Sequence, residues 1–428
     1  MSLSAIDKIG RRLLPLLFAL YFVNFLDRVN VGYAALQMNG DLGFTPAVYG
    51  LGASIFFLGY FFLEIPSNWI TTKIGARKWL ARIAITWGVA ACAMAFVQNQ
   101  PGFYALRFIL GVAEAGFVPA MLFYVASWFP QASRANAVAQ LWTATAFALI
   151  FGGPLSALTL SISGAGLHGW QWMFLIEGVP SIVLGLLTLK YLPDDIASAA
   201  WLEPAERDDL ARTLAAENAA VRTHGVAEFR AALAKPIVWG FSITYYFLGI
   251  GFFGITFWLP QIVKQFSGLG PVETSLVSSV PFIFAAIAML IVGRRSRTAT
   301  DHRMTFVIGT LIGAAGVLAS TFSANAWISL IALTIGAMGI WSVVAIFWAA
   351  STRRMAGTGA AAGFALMNTI GALGGFTGPY MIGLVRGATG SFTIALIVIA
   401  VALLVCALLA LVMMRLPANT ARPATVPV

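Results

Sequence analysis

Residues 391–414 read SFTIALIVIAVALLVCALLALVMM, without one charged side chain. A helix of about 20 such residues crosses the ~30 Å hydrocarbon core of a bilayer. Apolar blocks of this kind recur along the chain, at 13–34, 47–69, 80–97, 103–127, 137–161, 172–191, 237–260, 273–293, 305–323, 326–350, 358–385 and 391–414. In hydrocarbon every backbone amide needs an internal partner, and helices supply one within each block. The sequence therefore reads as an all-α polytopic membrane protein with twelve transmembrane helices. Composition agrees: 60% of the 428 residues are hydrophobic and 10% charged, against roughly 25% charged in a soluble domain.

The formal charge of +10 raises the question of nucleic acid, and the placement of the cations answers it. Lys8, Arg11 and Arg12 precede the first block. Lys73, Arg77, Lys78 and Arg82 follow the second, and Arg134 the fourth. Arg294, Arg295, Arg297 and Arg303 follow the eighth, and Arg353 and Arg354 the tenth. The alternate joints hold little beyond Lys264 and Arg386. This is positive-inside asymmetry, which places both termini in the cytoplasm. The basic joints also attract anionic membrane lipid, and no nucleic-acid partner is expected. Met1 to Gly10 lead into the first block without a small-residue cleavage site, so no cleaved signal is expected.

Cys92 and Cys406 fall inside apolar blocks and read as small apolar residues rather than a disulfide. His168, His224 and His302 fall in joints. No cluster has metal-ligand spacing, and no nucleophile sits with a base. The expectation is a protein that is not an enzyme and that holds no metal or cofactor.

Residues 193–236 interrupt the pattern with a stretch rich in Asp, Glu, Arg and Ala. Glu203-Pro204 reads as a helix start, with proline in the first turn. One or two short cytoplasmic helices are expected there. They separate a six-helix half at 1–192 from another at 237–428. A basic joint follows the second helix of each half, at 73–78 and at 293–297, so the halves read as a weak repeat. Repeated halves around a central loop are a transporter architecture, with substrate bound near the midplane between them.

Few charges remain inside the blocks. They are Asp27 and Arg28 in span one, Glu64 late in span two, Arg107 and Glu114 in span four, and Glu177 in span six. Gln140, Thr143 and Thr145 add neutral polarity in span five. Spans seven to twelve carry only neutral groups, among them Thr244, Tyr245, Tyr246, Trp258, Ser278, Ser342, Trp348, Asn368 and Thr369. An ionised group at the bilayer centre costs at least ~2.5–3.5 kcal/mol, so such groups mark a pathway or a pair. Asp27 and Arg28 diverge by ~100° around their helix, so one can face a central space while the other faces a neighbouring helix. Arg107 and Glu114, about two turns apart, share a face. They read either as a coupling group or as a structural pair. Glu64, just before Pro66, reads as part of the basic joint, and Glu177 as packing.

Several stretches carry a resemblance. They are Leu26-Asp27-Arg28-Val29-Asn30, RFILGVAEAGFVPAMLFYVASWFP from Arg107, GWQWMFLIEGVP from Gly169, FWLPQIV from Phe257 and GFALMNTIGALGGFTGP from Gly363. In order and extent they resemble the anion:cation symporters of the major facilitator superfamily, bacterial carriers of sugar acids, tartrate and aromatic acids. The resemblance implies two pseudo-symmetric six-helix halves, alternating access, and an organic anion carried with protons through a bacterial inner membrane. It implies that Arg28 binds the substrate carboxylate. It assigns proton coupling to Asp27, Glu114 and Arg107, and a lining role to Tyr60 and Asn368. Trp348 and Thr145 complete the expected substrate site, and a monomer is expected. The chain departs from the family at Asn68 and Thr72, at Arg297 where an acid is usual, and at Ile346 where a proline is usual.

Overall fold

The computed structural model describes residues 3–220, 233–296, 302–323, 325–355 and 360–414. Arg297 and His224 lie outside these residues. The first half comprises α1 (Leu3–Asp41), α2 (Pro46–Ile74), α3 (Ala76–Ala93), α4 (Gln100–Glu114), α5 (Phe117–Trp128), α6 (Gln131–Leu160) and α7 (Gly169–Tyr191). After the connecting helix α8 (Pro204–Ala220) come α9 (Pro236–Ser267), α10 (Pro271–Ser296), α11 (His302–Ala319), α12 (Ala326–Ser342), α13 (Val344–Arg354), α14 (Ala360–Thr389) and α15 (Thr393–Met413).

Local sequence sets the helix ends. Thr45 caps α2 by accepting from the Val48 amide at 3.3 Å, with Pro46 in the first turn. Asn99 caps α4 by accepting from the Gly102 amide at 2.9 Å. Among the described residues eleven spans are long and apolar enough to cross a membrane. The twelfth crossing is α14, 30 residues long but diluted by glycines and by Asn368. Its glycines are used for close packing: a Cβ on Gly374 would fall 2.3 Å from the Tyr246 carbonyl of α9.

Two crossings are interrupted. Span four is α4 followed by α5, broken at Ala115 and Gly116, whose φ of +83° is a left-handed conformation that favours glycine. The break frees the Ala115 carbonyl, which accepts from Ser67 Oγ at 2.7 Å. Trp79 Nε1 in turn donates to Ser67 Oγ at 2.8 Å. Span ten is α12 followed by α13, broken at Val343. Broken helices are tolerated in membranes where neighbours satisfy the freed groups.

The halves meet along α1 with α9, α2 with α14, and α6 with α10. At the end remote from the basic joints, Tyr49 donates to the Phe257 carbonyl at 2.8 Å and Lys264 to the Leu36 carbonyl at 3.0 Å. Asn39 donates to Gln261 at 3.3 Å in the same region. The outer surface is apolar: Phe62, Trp69, Leu158, Ile331 and Leu408 are each 60–68% exposed. In water such a surface would associate, and against lipid it is matched. At the Lys/Arg-rich end, α8 is clamped to the first half. Glu206 pairs with Lys8 at 2.9 Å, and Glu217 with Arg134 at 3.3 Å. The hydrogen bond from Lys8 holds the Glu206 carboxyl below its ordinary range.

Candidate functional site

Arg28 leaves α1 toward α4 and α2. Its Nη2 lies 2.8 Å from Glu114 Oε2, an ion pair in which Glu114 is fully buried and the Arg28 side chain keeps 13% exposure. Asn24, one turn before Arg28, donates to the same carboxylate oxygen at 3.0 Å. Glu114 Oε1 and Arg28 Nε are buried without a partner. The guanidinium also lies 5.3 Å from the ring centroids of Phe56 and Tyr60, a cation–π cradle supplied by α2.

Arg107 behaves differently from what its spacing to Glu114 suggested. It donates to the carbonyls of Gly52 at 3.3 Å and Ala53 at 3.2 Å, both on α2. Its guanidinium lies 5.1 Å from the Phe56 ring, so Phe56 stands between two arginines. No ion pair to Arg107 exists among the described residues. The reading of Arg107 and Glu114 as a structural pair is corrected: Glu114 faces α1 and takes Arg28, while Arg107 ties α4 to α2. The same α2–α4 contact needs Gly111, where a Cβ would fall 1.9 Å from the Phe56 carbonyl.

Asp27 points away from Arg28, as their angular separation requires. Its Oδ2 accepts from Trp87 Nε1 at 2.9 Å and Ser181 Oγ at 2.7 Å, on α3 and α7. Its Oδ1 is buried without a partner. One turn on, Asn30 donates to Glu177 Oε2 at 3.0 Å. Asp27 and Asn30 of α1 thus face Ser181 and Glu177 of α7 as two polar rungs in an apolar interface. Glu177 is the other acid of this ladder, which the packing reading did not assign.

The remaining residues lie on different walls. Tyr60 is buried beneath Arg28. Glu64, one turn further along α2, accepts from Asn368 Nδ2 and, at 3.2 Å, from Thr369 Oγ1, both on α14. Assigning Glu64 to the basic joint is therefore corrected, since it bonds across the two halves. Trp348 on α13 is half-buried, its ring 5.3 Å from Tyr245 and 6.3 Å from Phe364. Thr145 is half-buried, and its hydroxyl donates to the Trp142 carbonyl of its own helix at 2.8 Å. The structure brings together Arg28, Glu114 and Tyr60 and places Asn368 beside Glu64. It leaves Asp27 on a different face of α1, toward α3 and α7. Asn24 and Phe56 were not singled out from sequence, and Glu64 and Thr369 were named there without a place in the site. Asn24 carries a signal, since it lies four residues before Arg28 and so on the same helix face.

Twelve crossings in two halves, with a buried ion pair beside their junction, define a secondary transporter that spans the membrane several times. The chain belongs to the Major Facilitator Superfamily, which it matches over residues 17–379. It is 45% identical over 367 residues to a protein of Agrobacterium vitis named "Putative tartrate transporter", covering 85% of this chain and 81% of that one. It is 38% identical to the quinolone resistance transporter of Acinetobacter baumannii, covering 84% of this chain and 83% of that one. It is 33% identical to the inner membrane transport protein RhmT of Escherichia coli strain K12, covering 86% and 85%. The fold is shared with a bacterial homologue of the human lysosomal transporter Spinster, with a TM-score of 0.79 at 16% identity over 97% of this chain and 98% of that one. It is shared also with the xylose transporter XylE of Escherichia coli, with a TM-score of 0.74 at 13% identity over 95% and 96%.

Proposed function

We propose that the chain is a proton-coupled importer of a small organic carboxylate, working by alternating access in a bacterial inner membrane. The observation that carries this reading is the Arg28–Glu114 pair, a forked cation held by a buried acid. Guanidinium matches carboxylate in geometry, and it stays charged through any transport cycle. A proton on Glu114 removes the competing anion and leaves Arg28 for the substrate carboxylate. Asp27 is the second proton site, held by two neutral donors and no cation. Arg107 positions α4, and with it Glu114. Asn368 hydrogen-bonds the substrate from the second half, while Trp348 and Tyr60 supply aromatic surface and Thr145 a peripheral hydroxyl.

Tartrate, a hydroxylated diacid, is the first substrate to test, because two relatives carry its name. The Lys/Arg-rich end faces the cytoplasm by the positive-inside rule, and so do both termini. The protein acts as a monomer. The test is paired measurement in proteoliposomes: tartrate counterflow, and tartrate accumulation driven by a proton gradient alone. The expected result is both. Counterflow without proton-driven accumulation would mean an exchanger or uniporter, and neither would exclude tartrate and call for sugar acids and aromatic acids.

A further inference from the structure

Glu64 stands where two observations meet. It is 3% exposed, and both its oxygens accept from the other half, from Asn368 and Thr369. Between described residues, these are the hydrogen bonds joining the two halves that lie nearest the Lys/Arg-rich end. The other cross-half bonds, at Leu36, Asn39 and Tyr49, lie at the opposite end of the bundle. Meanwhile Tyr60, one turn from Glu64 on the same face of α2, carries the Arg28 guanidinium.

A row therefore runs from Glu114 through Arg28 and Tyr60 to Glu64 and Asn368. At each end a carboxylate of the protein occupies donors suited to an anion. At one end Glu114 occupies Arg28, and at the other Glu64 occupies Asn368 and Thr369. Thr369 has one O–H donor and Glu64 takes it, while Asn368 gives Glu64 one of its two N–H donors, so a substrate oxygen that needs Thr369 or that same N–H must displace the carboxylate.

We propose that Glu64 is a latch between α2 and α14 that also acts as a placeholder: substrate oxygens replace its carboxylate on Asn368 and Thr369 and release the two halves from each other. The placeholder role rests on the organic-anion reading above, and the latch role does not. Glu64 selects substrates with an acceptor group remote from the carboxylate bound at Arg28, because only these reach both donor sets. A monoacid without such a group leaves the latch closed.

The test uses the full-length protein with Cys92 and Cys406 replaced by alanine. Spin labels go at Thr72→Cys on α2 and Ala365→Cys on α14. Without substrate, Glu64→Ala is expected to widen the distance distribution between the labels, and Glu64→Gln, which keeps one acceptor, to widen it partly. An unchanged distribution in both variants overturns the latch. If Glu64→Ala fails to assemble, the glutamine variant alone decides. In liposomes carrying tartrate, Glu64→Ala is expected to lower the counterflow KM roughly threefold to tenfold, the scale of net hydrogen-bond strength, without a matching rise in the maximal rate. A KM unchanged or raised overturns the placeholder while leaving the latch to the distance measurement. Absent counterflow in the unsubstituted protein would instead refute tartrate as substrate, with the label distances still deciding the latch.

Discussion

Glu114 Oε2 and Arg28 Nη2 stand 2.8 Å apart, so the cation at the head of the site is already held by an acid of the protein itself. Any anion that reaches Arg28 must compete with Glu114. On the function proposed above, the protonation of Glu114 and the binding of substrate are parts of one equilibrium.

Glu114→Gln removes that competitor while keeping the hydrogen-bond geometry toward Asn24 and Arg28. The variant is expected to bind and exchange substrate in counterflow and to lose accumulation driven by a proton gradient. Full proton-driven accumulation would show that Glu114 is not the coupling group.

Arg28→Lys keeps the charge but loses the fork and the stacking on Phe56 and Tyr60. Charge-assisted hydrogen bonds are worth about 1.5–3 kcal/mol, so substrate affinity should fall roughly tenfold to a hundredfold. Isothermal calorimetry or substrate-induced thermal shift measures it, and wild-type affinity would remove Arg28 from the site.

Asp27→Asn preserves the shape of the polar contact with Trp87 and Ser181 and removes the carboxyl group proposed to exchange a proton. Counterflow should persist and proton-driven uptake should drop. A raised counterflow KM with coupling intact would mean that Asp27 only positions α1.

Arg107→Lys loses the fork whose Nε and Nη2 donate to the Gly52 and Ala53 carbonyls. A loss of about 1–3 kcal/mol is expected from the unmade bonds, seen as a lower melting temperature in detergent. An unaltered melting temperature with lost proton coupling would return Arg107 to the coupling machinery.

Gly111→Val puts a branched side chain where a single Cβ already falls 1.9 Å from the Phe56 carbonyl. The α2–α4 contact should open, and the variant should give little monodisperse protein on size-exclusion chromatography. Normal yield with normal transport would show that the contact is dispensable.

The number of crossings, the connecting segment and the identity of the buried charges are properties a sequence can carry by itself. Hydrocarbon forbids unsatisfied backbone and unpaired charge, so block length and the positions of Asp27, Arg28, Arg107 and Glu114 stand out residue by residue, whereas Asn368 was marked only by the family resemblance. The divergence of Asp27 and Arg28 was also legible, because it follows from the pitch of one helix. The glycines of α14 were legible as a feature, but their use against α9 was not.

What the tertiary structure decided was partnership. Arg107 and Glu114 share a face of one helix, yet which neighbour each meets depends on how α1 and α2 pack on α4, and no spacing within α4 encodes it. Glu64 looked like an appendage of the basic joint because its partners, Asn368 and Thr369, lie about three hundred residues away in the other half. A helix period determines which residues point the same way. Only the packing of whole helices determines what they point at.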